Sequence, residues 1–568
     1  MTLEAMTLAH PIVATHQGIL DDATEALVAR RFYTRYPEVP STRVYGENAA
    51  ADGLAAYLAH LDGTYAGLLS QPTDGTFVGC EVSPYGPTLG VRYPRLDLDA
   101  ALPAALDAMT AWRDAGARVR AAVCVEIIER LHARSHEMGN AVMHTSGQSF
   151  IMAFQAGGPH AQDRALEAVA AALLEQERVP ESVVWEKPGR DAPIRMQKDY
   201  RIVPRGVAMM VGCNTFPTWN GYPGLFASLA TGNPVVVKPH PRAILPLAIT
   251  VDVARTVLVE NGFDAALVQL APENDGEGLA KTLAERPEVK IIDYTGGPTF
   301  GAWLESYGAQ HGKLVYTEKA GINTVVVDST DNLRGMLFNL AFSFSLYTGQ
   351  MCTAPQNVYV PEQVSTDEGV LSFDEFADRL AAAITKLTAD DAKAIEVTGA
   401  VVNPQVRANS AAHQGIADEV GGRVVLASRE VKHPAYPDAV CRTPGLVAVD
   451  AADQVVYCKE WFGPVAFLIR TASTAQSLEL FTATILEHGA MTAAVYSTDE
   501  EILDDARDAA AEAGVNLSEN LTQGIFVNQA AAFSDYHGTG ANPAANASYT
   551  DAAFVAGRFR VVTSRRHV

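Results

Sequence analysis

Short runs of β-branched residues alternate with helical stretches from about residue 206 onward, and this alternation constrains the fold more than any other feature. The first group of runs comprises Val207–Gly212, Pro234–Lys238, Ala266–Leu270 and Val289–Thr295, with helices predicted over 244–261 and 276–285. Continuous apolar strands separated by helices are typical of a parallel sheet that is covered on both faces. This part of the chain is therefore predicted to form an α/β unit.

A second alternation follows the first. Strands are predicted at Asn323–Val327, Asn357–Val360, Pro464–Arg470, Thr492–Tyr496 and Ile525–Asn528, with helices over 332–347, 475–488 and 499–513. A chain of 568 residues also exceeds the roughly 250–300 residues that one hydrophobic core supports. The sequence therefore predicts an α/β fold with two tandem parallel-sheet domains, divided near residues 315–320.

Two segments of alternating polarity lie outside this scheme. Residues 183–205 alternate around a turn that contains glycine and proline, which predicts a protruding hairpin. Phe559–Ser564 is a predicted strand without an obvious partner nearby. Both segments are candidate oligomerisation elements, but the pattern fits an edge strand of one domain equally well.

Composition excludes several classes of function. The net charge of −23 repels phosphate backbones, so we expect no nucleic-acid partner. The six cysteines are scattered and show no metal-ligand spacing, so we expect no metal site. No apolar run reaches the ~18 residues of a membrane span, and the first 29 residues lack the Lys or Arg of a leader. We therefore expect a cytoplasmic protein that acts on a small molecule.

Cys352 and Glu318 form the most informative pair of candidate catalytic residues. Cys352 lies in the Gly-Gln-Met-Cys-Thr-Ala segment at the end of a predicted helix, and Glu318 follows the predicted strand Leu314–Tyr316. Each alone is more often a buried thiol or an exposed carboxylate without a catalytic role. Together they fit a thiol nucleophile that forms an acyl-enzyme and a separate base that activates water to release it.

Other candidates follow predicted strands. Asn214 comes directly after the first strand, where its amide could stabilise an oxyanion, although asparagine is also common in turns. Lys238 ends a buried strand at the edge where parallel sheets bind ligands. Gly296 and Gly297 follow another strand and precede Pro298, which predicts a helix N-terminus able to accept a phosphate.

Taken together, these residues resemble the aldehyde dehydrogenase superfamily over roughly residues 130–568. Its motifs are present in order at Asn214, Ala230–Pro239, Gly296-Gly297, Glu318, Cys352 and Glu460–Val465. The resemblance implies an aldehyde dehydrogenase-like fold, with a dinucleotide-binding domain formed by residues 1–182 and 206–317 and a catalytic domain formed by residues 318–548. It assigns residues 183–205 and 549–568 to oligomerisation, and implies a homodimer or a dimer of dimers.

The resemblance also implies roles. Cys352 attacks the aldehyde, Asn214 and the Cys352 backbone N–H hold the oxyanion, and Glu318 activates water. Glu318 favours hydrolysis, because relatives that pass the acyl group to coenzyme A lack this glutamate. Glu460 and Phe462 would contact the nicotinamide riboside. An extra residue before the Ala230–Pro239 motif leaves Asn220 as the alternative to Asn214, and Lys319 replaces the usual leucine after the base.

The predicted cofactor is NAD or NADP, with NADP preferred. NAD-preferring relatives carry a glutamate three residues after the strand-end lysine, but this chain has Pro241 there, between His240 and Arg242. Without that carboxylate, nothing at this position repels the 2′-phosphate of NADP. The Arg242 guanidinium is able to pair with this phosphate.

A narrower resemblance points to the phenylacetic acid degradation (PaaN-type) aldehyde dehydrogenases. It rests on Tyr36–Pro40, Val44–Glu47, Glu81–Gly86 and Gln155–Gln162. It implies a semialdehyde substrate from a ring-opened, coenzyme A-linked phenylacetate intermediate. Three alternatives remain: a dehydrogenase for a simple or 2-oxoglutarate-type semialdehyde, a catalytically idle nucleotide-binding protein, and a cysteine hydrolase, for which the sequence offers no His/Asn partner set that can be placed.

Overall fold

The computed structural model describes residues 10–319 and 321–568. Residues 1–9, part of the segment predicted to lack a leader, and Ala320, next to Lys319, lie outside the described residues. Within the described ranges, no helix is both long and apolar enough to cross a membrane.

The first α/β unit is built around a five-stranded parallel sheet, as the sequence predicts. Its strands, in spatial order, are Val268–Leu270, Val235–Lys238, Val207–Val211, Val289–Gly296 and Leu314–Lys319. Val207 and Met209 pack into one core and Ala208 and Met210 into another, so both faces are buried. Each fully buried Val or Met side chain contributes about 1.5–3 kcal/mol.

Helices cover both faces of this sheet. Those after its strands are Gly221–Ala230, Leu245–Glu260, Leu279–Glu285 and Pro298–His311. The chain before the sheet is mainly helical. The helices there are Pro11–Ala29, Thr42–Tyr45, Ala49–Leu58, Leu98–Asp114, Ala117–His132, Ser135–Ser146, Phe150–Gly157 and Pro159–Glu177.

The second unit contains a seven-stranded sheet. Its strands, in spatial order, are Arg423–Leu426, Gly445–Asp450, Val465–Thr471, Pro355–Pro361, Asn323–Val327, Ala493–Tyr496 and Leu517–Glu519. All neighbours are parallel except the first pair, which is antiparallel. The helices of this part of the chain are Leu333–Ser345, Phe373–Leu387, Asp391–Thr398, Pro404–Asn409, His413–Val420, Gln454–Tyr457, Thr474–His488, Glu500–Ala513 and Ala552–Ala556.

Two strand predictions are wrong in detail. Residues 525–528 form a loop, because Phe526 stacks on Phe342 of a neighbouring helix with ring centroids 4.2 Å apart. The edge strand of the sheet is Leu517–Glu519 instead. The strand predicted to end at Tyr316 continues to Lys319, so Glu318 lies within it.

The predicted hairpin and the C-terminal strand pair with each other. Ile194–Pro204 lies between Ser182–Lys187 and Phe559–His567, antiparallel to both. The C-terminal strand has no obvious partner nearby in the sequence, because the strand that it pairs with lies more than 300 residues earlier in the chain. The smaller pairings are Thr73–Val78 with Tyr93–Leu96, Gln363–Thr366 with both Ser329–Thr330 and Gly369–Ser372, and Glu430–Val431 with Cys441–Arg442.

A buried ion pair fixes the start of the C-terminal strand to the five-stranded sheet. The Arg558 guanidinium donates to both carboxylate oxygens of Asp293, at 2.8 and 2.6 Å, and to Ser228 Oγ at 2.7 Å. Arg558 is fully buried, and its guanidinium also lies over the rings of Tyr316 and Phe554. A two-pronged contact of this kind fixes orientation as well as position.

Candidate active site

Cys352 is positioned by a strained turn. The helix Leu333–Ser345 ends just before Tyr347 and Thr348, whose φ angles are 51° and 55°. Left-handed backbone at a residue other than glycine costs on the order of 1–3 kcal/mol and persists only where the surroundings enforce it. Here Thr348 Oγ1 donates to the carbonyl of Thr398 at 2.9 Å. The turn therefore directs the chain to Cys352 at the cost of local strain.

Glu318 lies in the interior, and only 3% of its surface is exposed. Asn220 Nδ2 donates to its Oε2 at 3.0 Å. Burial raises the pKa of Glu318 to about 8, although hydrogen bonds from Tyr549 and Asn220 act to lower it. A cavity of about 10 Å³, close to the room that one water molecule needs, is lined by Glu318, Asn220, Thr295 and Tyr549. The carboxyl group is therefore in a site that favours its protonated form.

Lys319, which replaces the family's leucine, does not face Glu318. Successive side chains of a strand point to opposite faces. Lys319 Nζ accordingly pairs with Glu305 Oε1 at 2.8 Å. The substitution leaves the surroundings of the candidate base unchanged on its own side of the strand.

Cys352 and Glu318 converge on one side chain, His537. Its Nε2 lies 3.9 Å from Cys352 Sγ and 3.5 Å from Glu318 Oε1. The sequence offered no His/Asn partner set for Cys352, and the structure places this histidine beside the thiol. The imidazole is 3% exposed and packs edge-on against Trp219, with ring centroids 4.6 Å apart.

The thiol and the imidazole are both held in their neutral forms. Burial, and then the neighbouring Glu318, raise the pKa of Cys352 well above its usual range. Burial, and then the charge of Arg164, lower the pKa of His537 to about 3. The Cys352 thiol is therefore protonated at neutral pH, and it needs an acceptor for its proton before it can attack.

Asn214 lies on the turn after its strand, as predicted. Its amide donates to the carbonyl of Thr145 at 2.9 Å, whereas the amide that reaches Glu318 belongs to Asn220. Asn214 also adjoins Cys213, and a negative charge on the Cys213 thiol would raise the pKa of Cys352. One N–H of the Asn214 amide is thus committed to the protein, and the second remains for a ligand.

A dinucleotide fits the carboxyl edge of the five-stranded sheet. Lys238 ends its strand there with a buried side chain that pairs with Glu273. Gly297 caps the helix Pro298–His311, and a Cβ at Gly297 would meet no atom within 4 Å. Open space in front of a helix N-terminus suits a phosphate, because the first N–H groups lack partners within the helix. Gly296 is tighter, because a Cβ there would lie 2.4 Å from the Tyr294 hydroxyl.

His240 and Arg242 lie beyond Lys238 on the same edge. Burial and the neighbouring Lys238 lower the pKa of His240 to about 4, so it is neutral at pH 7. Arg242 is paired with Asp275, with Nη2 2.7 Å from Oδ2. Each of the two cations at this edge, Lys238 and Arg242, therefore has a carboxylate beside it.

The segment of Glu460 and Phe462 approaches the nucleophile turn. A Cβ at Gly349 would lie 2.4 Å from the carbonyl oxygen of Gly463, so the two chains touch through their backbones. Phe462 is partly buried against Val406, and its carbonyl accepts the amide of Asn409 at 2.9 Å. Glu460 is exposed. The two predicted cofactor contacts are thus placed next to the turn that carries Cys352.

A short C-terminal segment joins the two sheets around the site. Asn546 exchanges backbone and side-chain hydrogen bonds with Thr317, and the carbonyl of Ala544 accepts Lys319 N. Asn542 Nδ2 donates to the carbonyls of Ala490 and Gly514, at 2.9 and 2.8 Å. Residues 542–546, which we call the bridging segment, therefore contact both the strand of Glu318 and the turns that precede two strands of the seven-stranded sheet, Ala493–Tyr496 and Leu517–Glu519.

Sequence reasoning missed three side chains that lie near Cys352 and Glu318. His537 and Tyr549 lie in the loop region after Leu517–Glu519, and Trp219 lies between the two candidate asparagines. The signal for His537 was a histidine flanked by small residues and glycines, Tyr-His-Gly-Thr-Gly, in a segment without helical or strand periodicity.

Comparison with known proteins gives a consistent result. The family model described as "Aldehyde dehydrogenase family" matches residues 92–533. The structure is similar to that of an NAD-dependent aldehyde dehydrogenase from Burkholderia multivorans, with a TM-score of 0.95 and 53% identity, covering 98% of this chain and 99% of the other.

Two more distant relatives agree in fold or family. N-succinylglutamate 5-semialdehyde dehydrogenase from Chromobacterium violaceum is 25% identical over 388 residues, which are 67% of this chain and 73% of that protein. A 1-pyrroline-5-carboxylate dehydrogenase from Thermus thermophilus has the same fold, with a TM-score of 0.74 and 20% identity, covering 95% of this chain and 99% of the other. The family match spans most of the chain, and the protein belongs to the aldehyde dehydrogenase family of oxidoreductases.

Proposed function

We propose that this protein oxidises a semialdehyde to a carboxylic acid through a thioester on Cys352. The observation that carries the proposal is that Cys352 Sγ and Glu318 Oε1 lie 3.9 and 3.5 Å from one buried nitrogen, Nε2 of His537. A thiol and a carboxyl group on either side of one side chain are close enough to act in turn on one carbonyl carbon.

In the first half of the reaction, Cys352 Sγ adds to the aldehyde carbon. The remaining N–H of the Asn214 amide and the Cys352 backbone N–H are the proposed donors to the oxyanion. One such donor contributes about 3 kcal/mol to the stability of a transition state. A bound nicotinamide dinucleotide supplies the acceptor for the hydride.

In the second half, Glu318 takes a proton from water, which then attacks the thioester carbon. The Asn220 amide holds Glu318 Oε2 and leaves Oε1 without a hydrogen bond. Oε1 is therefore the proposed acceptor, and Asn220 orients it.

The proposed dinucleotide contacts are Lys238, His240, Arg242, Gly296, Gly297, Glu460 and Phe462. The preference for NADP remains a prediction. It requires Arg242 to leave Asp275 for the 2′-phosphate, and Glu273 beside Lys238 acts against that phosphate by repulsion. Under this proposal Glu273 and Asp275 set the preference between NAD and NADP, so replacing each carboxylate with an amide tests that preference directly.

The proposed substrate is a semialdehyde, in line with the names of several relatives. These are dehydrogenases of N-succinylglutamate 5-semialdehyde and of 1-pyrroline-5-carboxylate. A coenzyme A-linked semialdehyde of phenylacetate degradation is the narrower proposal, which rests on the N-terminal segments of PaaN type. A free semialdehyde is the second candidate.

The test is a panel of free and coenzyme A-linked semialdehydes assayed with NAD and NADP. We expect dinucleotide reduction with at least one of them, loss of that activity in Cys352→Ala, and accumulation of a thioester in Glu318→Gln. Reduction that persists in Cys352→Ala would overturn the proposal. Turnover without any dinucleotide would indicate a hydrolase instead.

We further propose that copies of this chain associate through the terminal three-stranded sheet. Its two outer strands are edges, and Val183, Val184 and Val562 on them are exposed by 40–56%. Exposed apolar edge strands pair readily with another chain. We also propose that residues 1–182 and 206–317 form the dinucleotide-binding domain and that residues 318–548 form the catalytic domain.

A further inference from the structure

His537 has a setting that a side chain kept only for packing would not need. Its ring lies between Trp219 and Tyr549, with centroids 4.6 and 5.6 Å away. Its backbone carbonyl accepts Tyr549 N at 3.1 Å. The ring is thereby fixed with Nε2 directed at Cys352 Sγ and Glu318 Oε1, the two groups of the proposed chemistry.

We infer that His537 is a catalytic base, which takes the thiol proton of Cys352 while the Sγ–carbon bond forms, and that Glu318 serves only the later hydrolysis. This inference rests on the proposed function. It divides the two proton transfers of the reaction between two side chains.

The protonation states of the pocket support this division. At neutral pH Glu318 is mostly protonated, because its pKa is raised to about 8, so it is a poor acceptor for a second proton. His537 is neutral, and in the tautomer with hydrogen on Nδ1 its Nε2 lone pair faces the thiol. The titratable groups that face the ring are Cys352, Glu318 and Tyr549, with the charge of Arg164 nearby. What singles out His537 among these groups is geometry, because its unprotonated nitrogen lies 3.9 Å from Cys352 Sγ.

The low basicity of His537 determines how the proton moves. A separated thiolate and imidazolium would both be destabilised by burial, so the transfer is concerted with bond formation. The Sγ–H bond breaks and Nε2–H forms, while Sγ bonds to carbon and the carbonyl electron pair moves to oxygen. Loss of hydride to the dinucleotide then restores the carbonyl as a thioester. Because burial lowers the pKa of His537 to about 3, the imidazolium then releases its proton to solvent. The thiolate that hydrolysis expels takes the proton that Glu318 removed from water.

The experiment measures the burst of reduced dinucleotide, which reports acylation, in the full-length enzyme and in two variants. In His537→Ala we expect the burst rate constant to fall about 10²–10⁴-fold. Added imidazole should raise the burst rate constant of this variant at least tenfold, because the alanine leaves room for the missing ring. In His537→Phe we expect the same loss but no rescue, because the phenyl ring fills the site without offering a lone pair.

The pH profile separates a base from a merely structural residue. With His537 present, the burst rate should be level from about pH 5 to pH 8, since the base is already neutral there. Without His537, the burst rate should rise about tenfold per pH unit, because hydroxide or bulk base then removes the thiol proton. A normal burst in His537→Phe, or a wild-type profile that rises tenfold per unit, would overturn the inference. The second criterion needs no variant to fold.

Failure of this inference differs from failure of the proposed function. If wild-type enzyme gives no burst and Cys352 is not acylated by any aldehyde of the panel, the proposed function fails. If wild type gives a Cys352-dependent burst that His537 variants match, only the role of His537 fails.

Discussion

Glu318 must lose its proton before it can activate water, so hydrolysis of the acyl-enzyme should depend steeply on pH. Burial raises the pKa of Glu318 to about 8. Below that pH the ionised fraction falls about tenfold per unit, to about a tenth at pH 7 and about a hundredth at pH 6. Hydrolysis is therefore expected to be roughly a hundredfold faster at pH 9 than at pH 6. An ordinary glutamate would give no change over this range.

The assay separates the two halves of the reaction by rapid mixing. The burst of reduced dinucleotide reports acylation, and the disappearance of isolated acyl-enzyme reports hydrolysis. In Glu318→Gln the burst should remain near one equivalent per chain, while hydrolysis falls about 10²–10⁴-fold and loses its pH dependence. Asp551→Asn, which changes a helix cap outside the pocket, is the matched control.

Two results would refute this reasoning. One is a hydrolysis rate that is level between pH 6 and pH 8, since it would mean that Glu318 is already ionised. The other is a Gln variant that retains the wild-type dependence on pH, since the titrating group would then be elsewhere. Either result would remove burial of Glu318 as the cause of the profile.

Three further predictions follow from other contacts. Arg558→Met should lower the free energy of unfolding by about 3–5 kcal/mol, because it leaves Asp293 buried and unpaired; urea denaturation should show this loss, and exposed Arg560→Met should not. Glu273→Gln should shift kcat/KM toward NADP by about tenfold, because it removes a carboxylate beside Lys238; an unchanged NADP/NAD ratio would contradict the assignment. Val562→Lys should shift the oligomer toward smaller species in light scattering, and an unchanged mass would exclude the terminal sheet as the interface.

The strands and helices were predictable where a pattern is local. Val207–Val211 is a continuous apolar run and Asn323–Val327 ends in one. Both strands are buried throughout, and their observed bounds differ from the predicted ones by at most one residue. The run at 525–528 was misassigned because apolar residues that pack on a helix and those that pair in a sheet look alike over four residues.

The candidate site was predictable in its reactive groups but not in its geometry. The motifs predicted Cys352 and Glu318, and the structure brings them together. Spacing alone could not place Asn214 and Asn220, because it does not fix which amide points to which neighbour. His537 lies 185 residues from Cys352. Its proximity depends on how the loop after the seven-stranded sheet returns to the first sheet.

The bridging segment limits how this enzyme can open. Residues 542–546 hold the Glu318 strand by backbone hydrogen bonds and, through the Asn542 side chain, the turns that precede two strands of the seven-stranded sheet. Separation of the two sheets on that side would break these bonds and displace Glu318 from the thiol. Entry of aldehyde and departure of acid must therefore occur without parting the sheets there. Rearrangements that exchange the spent dinucleotide must likewise leave these bonds intact, because Gly297 follows the strand that pairs with the Glu318 strand at the same edge of the sheet.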